Sequence, residues 1–439
     1  MVLNGADGRC RSPWERSRRG RVRIRNAPRA ESSRREEILQ HAAILIASSG
    51  PQTSLQQIAD ATDLQLGSLY HHFRSKDEIL VELLRRYHAD LDRIGEVTQQ
   101  ALDAPQYRPA PERLTELGAT IAACAIRHRA ALQLTFYEAP SGNPELKELV
   151  RRRPVAINRA MLDTLRALRW TGVLRRNLDL PVTADRTAQT MLHVGLDAIR
   201  HQAPAERTVE VLAGILLNGL ATTETSDDRL DASNAFTAAD NVVRTWIEQP
   251  GPAHADTAGR VRAAARTEFA RRGFETTTLR DIAAAAEVGV GTVHRVIGSK
   301  DEVLATIMRS FGEHVIEGWA SVFRSDSSPV EKLDAMMWIN INTLHHYPDE
   351  FKIQLAWLRQ ASPNTAEPGW HFTQQLEHLA AVVSEGIDDG EIRPDIAPVD
   401  QLAQCVISVQ WIPENILLDR GTRAALQLGR DTVLRGIAR

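Results

Sequence analysis

Aromatic side chains make up only 5% of the 439 residues, while Ala and Arg are abundant and the stretches between Gly and Pro are long. Strands favour aromatic and β-branched residues, so this composition points to helices and an all-α fold. Cysteine is close to absent. Cys10, Cys124 and Cys405 are odd in number and form no C-x-x-C spacing, which leaves no disulfide framework or zinc cluster and fits a reducing cytoplasm. Long apolar runs are missing as well. Residues 209–220, the most apolar stretch, are broken by Glu210 and Asn218 and fall short of the ~18 to 20 residues that cross a bilayer. The N-terminus lacks the apolar core of a secretion signal. No membrane partner is expected, and the expected location is cytoplasmic. P-loop, G-x-S-x-G and H-E-x-x-H motifs do not occur, and Gly289-Val-Gly291 is not followed by Gly at position 294, so the dinucleotide fingerprint fails. Neither an enzyme nor a cofactor is expected.

What is present is a soluble globular balance, with 43% hydrophobic and 25% charged residues, in a chain too long for one ordinary domain. Its net charge of −3 hides an asymmetry: residues 1–35 hold eleven Arg against Asp7, Glu15 and Glu31. So basic a segment, with almost no apolar residues, does not fold alone and is attracted to polyanions. Residues 1–32 are read as a basic arm, with a solvated tail or an extension from a misplaced start as alternatives.

The chain also repeats itself. Thr53-Ser-Leu-Gln-Gln-Ile-Ala-Asp-Ala through Gly67 to Ser75-Lys-Asp-Glu-Ile-Leu80 returns as Thr277-Thr-Leu-Arg-Asp-Ile-Ala-Ala-Ala through Gly291 to Ser299-Lys-Asp-Glu-Val-Leu304, with eleven of thirty-two positions identical across residues 53–84 and 277–308. Upstream, after a one-residue gap, Ile38, Ala42, Ile46 and Gly50 face Val261, Ala265, Phe269 and Gly273. A fainter echo sets Gly172-Val-Leu-Arg-Arg-Asn-Leu-Asp179 against Gly390-Glu-Ile-Arg-Pro-Asp-Ile396. The chain is a tandem duplication. Residues 222–255, rich at first in Thr, Ser, Asp and Ala and ending at Pro250-Gly-Pro252, are expected to be a linker, with a short helix at 241–248.

Within each repeat the local signals are sharp. Ile38, Ala42, Leu45 and Ile46 keep the spacing of an amphipathic helix that stops at Gly50. Thr53 or Ser54 caps a short helix carrying Leu55, Ile58 and Ala59; a turn follows at 62–65, then a third helix to Phe73. Two short helices joined by a tight turn make a helix-turn-helix. Ser75-Lys-Asp-Glu78 and Ser299-Lys-Asp-Glu302 have capping-box form, opening a long helix. Lys76 and Lys300 then sit at helix N-termini, where free N–H groups already favour phosphate; plain surface charge is the alternative.

Thr53-Ser-Leu-x-x-Ile-Ala, Gly67-Ser-Leu-Tyr-His-His-Phe73 and Ser75-Lys-Asp-Glu resemble the DNA-binding domain of the TetR family of bacterial repressors. The resemblance implies that the third helix enters the major groove, that the Tyr and the following Lys touch phosphates, and that a helical C-terminal domain binds an inducer and dimerises. Carried over, it implicates Thr53, Ser54, Gln65, Gly67, Ser68, Tyr70, His71, His72 and Lys76 in the first head, with Phe73 in the core. In the second head it implicates Thr277, Thr278, Arg280, Gly291, Thr292, His294, Arg295 and Lys300. There, His294 replaces the Tyr and Ile297 the Phe, so the second head either keeps DNA contacts through His294 and Arg295 or survives only as a structural partner.

The resemblance further implies two units, each a helix-turn-helix domain (33–84 and 256–308) followed by a helical ligand-binding-like domain (85–221 and 309–439). Helices carrying Val209, Leu212, Ile215 and Leu216, and Val406, Ile407, Val409 and Ile412, fall where the family dimerises. Trp338, Trp357, Phe372 and Trp411, with Met336 and Met337, could line an apolar inducer pocket, although such a stripe is more often plain core. His345, His346 and His371 complete no ligand spacing, so no metal site is expected. The expected partners are double-stranded operator DNA and a hydrophobic or acyl-CoA-like inducer. The two halves are expected to pair with each other on an asymmetric operator, a homodimer of chains being the rival. A small-molecule sensor or protein-interaction module with a vestigial second head is the alternative from another class.

Overall fold

A computed structural model describes residues 27–50, 53–104, 106–135, 142–201, 204–248, 256–360 and 372–439. Residues 1–26 of the expected basic arm lie outside the described residues. Helices, and no strand, occur among those described. In the first half these are α1 (Ala27–Ser49), α2 (Leu55–Ala61), α3 (Leu66–His72), α4 (Lys76–Leu102), α5 (Glu112–Arg127), α6 (Arg129–Leu134), α7 (Pro144–Arg151), α8 (Val155–Trp170), α9 (Leu180–His201) and α10 (Ala205–Asn218). The second half holds α11 (Asp227–Asp231), α12 (Asn234–Glu248), α13 (Thr257–Arg272), α14 (Leu279–Ala285), α15 (Val290–Ile297), α16 (Lys300–Phe323), α17 (Pro329–His346), α18 (Pro348–Gln360), α19 (Phe372–Asp388), α20 (Val399–Gln410) and α21 (Glu414–Gly429).

The predicted stripe of α1 is buried: Ile38, Ala42 and Ile46 have no exposed surface. Long α4 buries Leu80, Leu84 and Leu91 on one side and carries the first head into a body where it lies along α8 while α5 lies along α9. Pro413 sits at the N-cap of α21 and marks a turn, whereas Gly421, at φ +80°, breaks that helix internally.

The segment expected to be a linker is largely structured. Ser226 caps α11, and α12 starts at Asn234, well before the short helix expected at 241–248. Phe236, Ala239, Val243 and Trp246 recur every three to four residues, and this face is buried along α16 and α17. The Trp338 indole Nε1 donates to Asp240 Oδ1 at 3.2 Å, and its ring centroid lies 5.6 Å from that of Phe236. Helix α11 is tied to the same body by Arg430, which donates to Asp334 at 2.8 Å from both Nε and Nη2 and to Asp231 at 2.6 Å. Scattered Thr, Ser and Asp masked the helical period of this region. Residues 249–255 lie outside the described residues.

The halves meet along a two-fold-related set of backbone hydrogen bonds. Leu220 N donates to Val433 O at 2.8 Å and Ala221 N to Leu434 O at 2.9 Å; in return Ile437 N donates to Leu216 O at 2.9 Å and Ala438 N to Leu217 O at 2.8 Å. The echoed loops join crosswise. Arg175 N reaches Ile437 O at 3.0 Å and Arg393 N reaches Leu220 O at 2.9 Å, while Arg439 N meets Val173 O and Thr222 N meets Glu391 O, both at 2.9 Å. Each bond thus has a counterpart about 217 residues away. Next to them, the fully buried Arg186 of α9 donates to Leu428 O at 2.9 Å and also to Thr432 Oγ1 and Val409 O, all in the other half.

Candidate nucleic-acid interface

Each head is built by the same local devices. Ser54 accepts from Gln57 N at 3.1 Å while Gln57 Oε1 accepts from Ser54 N at 2.7 Å, a reciprocal cap for α2. Buried Ile58, Ala59 and Leu69 hold α2 against α3. The turn between them needs one left-handed residue, supplied by Asp63 at φ +53°, a conformation that Asp tolerates better than most side chains. Leu64 N then closes onto Ala59 O at 2.9 Å. The second head repeats this with Thr278 and Asp281 as the cap, Glu287 at φ +56° and Val288 N on Ala283 O at 3.0 Å.

The outer face of the first head carries Gln65, Gly67, Ser68, Tyr70 and His71, all exposed, with His72 half-buried beside them. Phe73 is fully buried. In the second head Arg280, Gly291, His294 and Arg295 are exposed and Thr292 is half-buried. A Cβ built on Gly67 or Gly291 would meet nothing within 4 Å. Packing inside the protein therefore does not require glycine at either position, and the third helix presents its bare backbone to the outside.

Some predicted contact residues face inward. Thr53 is 2% exposed and donates to Gly50 O at 3.0 Å; Thr277 is 1% exposed and donates to Gly273 O at 2.8 Å. Their hydroxyls lock the approach to α2 and α14 and are turned away from any ligand. Lys300 is also committed within the head: its ammonium donates to Phe274 O at 2.8 Å and Thr277 O at 3.2 Å and lies 4.3 Å from the Phe274 ring centroid. Lys76 is half-buried, and burial pushes its pKa below the usual lysine range, against a smaller opposing effect of Asp77. The box expected at Ser75 is only half formed. Ser75 accepts from Glu78 N at 3.3 Å, but Glu78 Oε2 accepts from Arg74 N at 2.8 Å, one residue earlier. At Ser299 the box with Glu302 is complete.

Arg35, which sequence reading left in the basic segment, is an element of the first head. Its guanidinium lies 3.9 Å from the Phe73 ring centroid, donates to His72 O and reaches Glu78 at 3.2 Å, tying α1 to the end of α3 and the start of α4. By the register of the repeat, the second head has Ala258 and Ile297 in place of Arg35 and Phe73. The two exchanges belong together, because without the ring and the guanidinium neither partner keeps its contact. Gly298, at φ +71°, ends α15 instead.

The aromatic set expected to line one pocket is divided. Trp338 is 6% exposed and packed on α12. Trp411 stacks edge-on against His193 of the first half, with centroids 4.7 Å apart. The side chains of Trp357 and Phe372, and His371 entirely, lie outside the described residues. Among the described residues no His, Cys, Asp and Glu group could hold a metal ion, and no helix is long and apolar enough to cross a membrane.

Comparison with known proteins meets the same two segments. The model of the tetR family of bacterial regulatory proteins matches residues 38–83 and again 261–307. The HTH-type transcriptional repressor KstR2 of Mycobacterium tuberculosis is 25% identical over 179 residues, 39% of this chain and 88% of that protein. KstR2 of Rhodococcus jostii is 42% identical over 76 residues, 17% of this chain and 37% of that protein. A solved structure of the ketosteroid transcriptional regulator KstR2 of Mycobacterium tuberculosis, 23% identical, aligns with a TM-score of 0.34 over 40% of this chain and 90% of its own. With two matched helix-turn-helix segments in an all-α chain, the protein belongs to the tetR family of DNA-binding transcription regulators and carries the family's amino-terminal domain twice.

Proposed function

We propose that the chain is a ligand-responsive repressor working as a covalently linked pseudo-dimer on an operator with two unlike half-sites. The observation that carries this reading is the reciprocal set of hydrogen bonds around Leu216–Thr222 and Val433–Arg439, in which each half uses against the other the surface a homodimer would use against a second copy. A symmetric interface is self-complementary, so a chain that satisfies it internally no longer offers that surface to another chain. The first unit runs to about residue 221; the second takes α11 and α12 as its own.

In this reading Tyr70 and Lys76 hold phosphates, and Gln65, Ser68, His71 and His72 approach base edges in the first half-site. Arg280, Thr292, His294 and Arg295 serve the second. Because Gln65, His71 and His72 correspond to Gly289, Arg295 and Val296, the half-sites differ in sequence. Ser54 and Thr278 act through their caps. The inducer is a hydrophobic or acyl-CoA-like small molecule, a reading supported by the likeness of Gly67-Ser-Leu-Tyr-His-His-Phe73 to family members that answer such ligands.

Native mass measurement on the chain with duplex selected from a random pool tests this. One chain per duplex, with two unlike half-sites about one helical turn apart or a multiple of it, is the expected result. Two chains on a palindrome would overturn it. A second reading, in which the second head is only a structural partner, is favoured by His294 and Ile297 standing where the first head has Tyr70 and Phe73. Scrambling the second half-site separates them, since a structural head leaves affinity and its salt dependence unchanged.

A further inference from the structure

A cleft of about 770 Å³ opens where three bodies meet: the first ligand body at α7 to α9, the second at α18 and the start of α21, and helix α13 of the second head. Five cations line it, Arg151, Arg152, Arg153, Arg271 and Lys352. Three carboxylates face them, and each is already engaged. Asp185 accepts from the Asn158 and Asn415 amides at 2.7 Å each, Asp349 accepts from Thr267 at 2.9 Å, and Glu414 pairs with Lys352 at 3.0 Å. Arg152 is held by Asp92 of α4 at 2.7 Å and Arg271 by Glu268 at 2.8 Å. The guanidiniums of Arg151 and Arg153 have no hydrogen bond or ion pair among the described residues. At the floor, Asn158 Oδ1 is buried with no hydrogen-bond partner among the described residues.

We propose that this cleft binds a small polyanion, a molecule bearing two or more phosphate groups and at least one hydroxyl or amide donor. The unpaired guanidiniums of Arg151 and Arg153 supply the attraction, since their forks match phosphate oxygens in pairs. The orphaned Asn158 oxygen takes the donor. Two of the walls bear on heads: Arg271 and Thr267 belong to the first helix of the second head, and Arg152 is bonded to α4, which carries the first. An occupant therefore bridges the second head to the first ligand body and fixes the distance between the heads. Binding goes beyond the repressor reading and stands without it; the effect on head spacing rests on that reading.

The test is calorimetric titration of the full chain with inorganic triphosphate and with a nucleoside triphosphate, each in the absence of DNA, and in a separate series with non-specific duplex. The proteins are the wild type, the paired variant Arg151→Ser with Arg153→Ser, Asn158→Leu, and the control Arg113→Ser with Arg207→Ser. Saturable binding of both probes is expected, weakened at least tenfold by the arginine pair and unchanged in the control. Asn158→Leu should weaken the nucleotide more than triphosphate. Equal affinity in wild type and the arginine pair, or no saturable binding at millimolar probe, would overturn the proposal. So would a loss confined to non-specific duplex affinity, which would make the cleft a track for DNA. Triphosphate binding in a chain that binds no duplex would leave the cleft standing and sink the repressor reading instead.

Discussion

Gly219 and Gly436 lie backbone to backbone across the junction of the two halves. A Cβ on Gly219 would stand 2.3 Å from the Leu434 carbonyl oxygen, and one on Gly436 would stand 2.3 Å from the Gly219 nitrogen. Their φ angles, +75° and +73°, are also nearly the same. Both position and conformation therefore demand glycine, because the obstruction is main chain and cannot rotate away. Gly436→Ala should cost about 3 kcal/mol or more and open the junction. Gly172→Ala, at φ +79° with nothing within 4 Å, should cost only the conformational strain, about 1 kcal/mol. Urea denaturation and size-exclusion of the two variants measure the contrast; equal losses would mean that the close approach contributes nothing.

Arg186 places a cation in a site without a carboxylate, where three acceptors of the other half satisfy it. Burial alone drives its pKa down, to about 9. Arg186→Ala removes volume and leaves the Val409 and Leu428 carbonyls without this donor, for a loss of about 3 kcal/mol. Arg186→Met keeps most of the volume and relieves the buried charge, so it should recover about half of that. The sign with pH follows from a base whose folded pKa is depressed. The charged form costs stability in full below about 9, and that cost is progressively relieved as pH rises above it. Wild type should gain on Arg186→Met between pH 8 and pH 10 in denaturant titrations; a constant difference would refute the burial argument.

The heads were legible because their signals are local: Ser54 caps α2, Ala59 is buried against α3 and Ser75 caps α4, each through partners only a few residues away. The inward turn of Thr53 was not, since a cap-adjacent Thr looks the same whether its hydroxyl bonds to Gly50 O or faces solvent. The bonds of Lys300 were not legible for a similar reason: its partners are carbonyls, which every sequence has. The junction did leave a trace. Leu217-Asn-Gly219-Leu-Ala221 returns as Leu434-Arg-Gly436-Ile-Ala438 at an interval of 217 residues against 224 in the heads, and its five positions are too few to stand out by themselves. Helix α12 was legible only from 241 onward; its start at Asn234 is held by burial of Phe236 and Ala239 where the helix runs along α16 and α17.

Acid should separate the two heads. The cap of α2 uses neutral Gln57, whereas α14 uses Asp281, whose carboxyl is held below its usual range first by the Thr278 hydroxyl, then by the Thr278 amide and Arg272. A depressed carboxyl stabilises fully above its unfolded value near 3.8, and that contribution is lost as pH falls through the folded value. Amide exchange at α14, relative to α2, should therefore speed up between pH 4.5 and pH 2.5. In Asp281→Asn the relative acceleration should vanish. Equal acceleration of both helices in wild type would mean that the cap charge is not what distinguishes them.

Gly67 and Gly291 offer the cleanest separation of folding from binding. Each is helical, exposed and open, so alanine fits the free protein and should raise its stability by roughly 0.5 kcal/mol through better helix propensity. If the bare backbone of α3 lies against DNA, the added methyl has no room in the complex, and Gly67→Ala should lose at least tenfold in operator affinity despite the gain in stability. Thermal denaturation and gel shift on the same preparation give the two numbers. Gly291→Ala asks the same of the second head, with the second half-site as its readout. Opposite signs in stability and affinity at both positions would mark two DNA-facing helices; an affinity loss at Gly67 alone would leave the second head a structural partner. Unchanged affinity at Gly67 would remove α3 from the interface altogether.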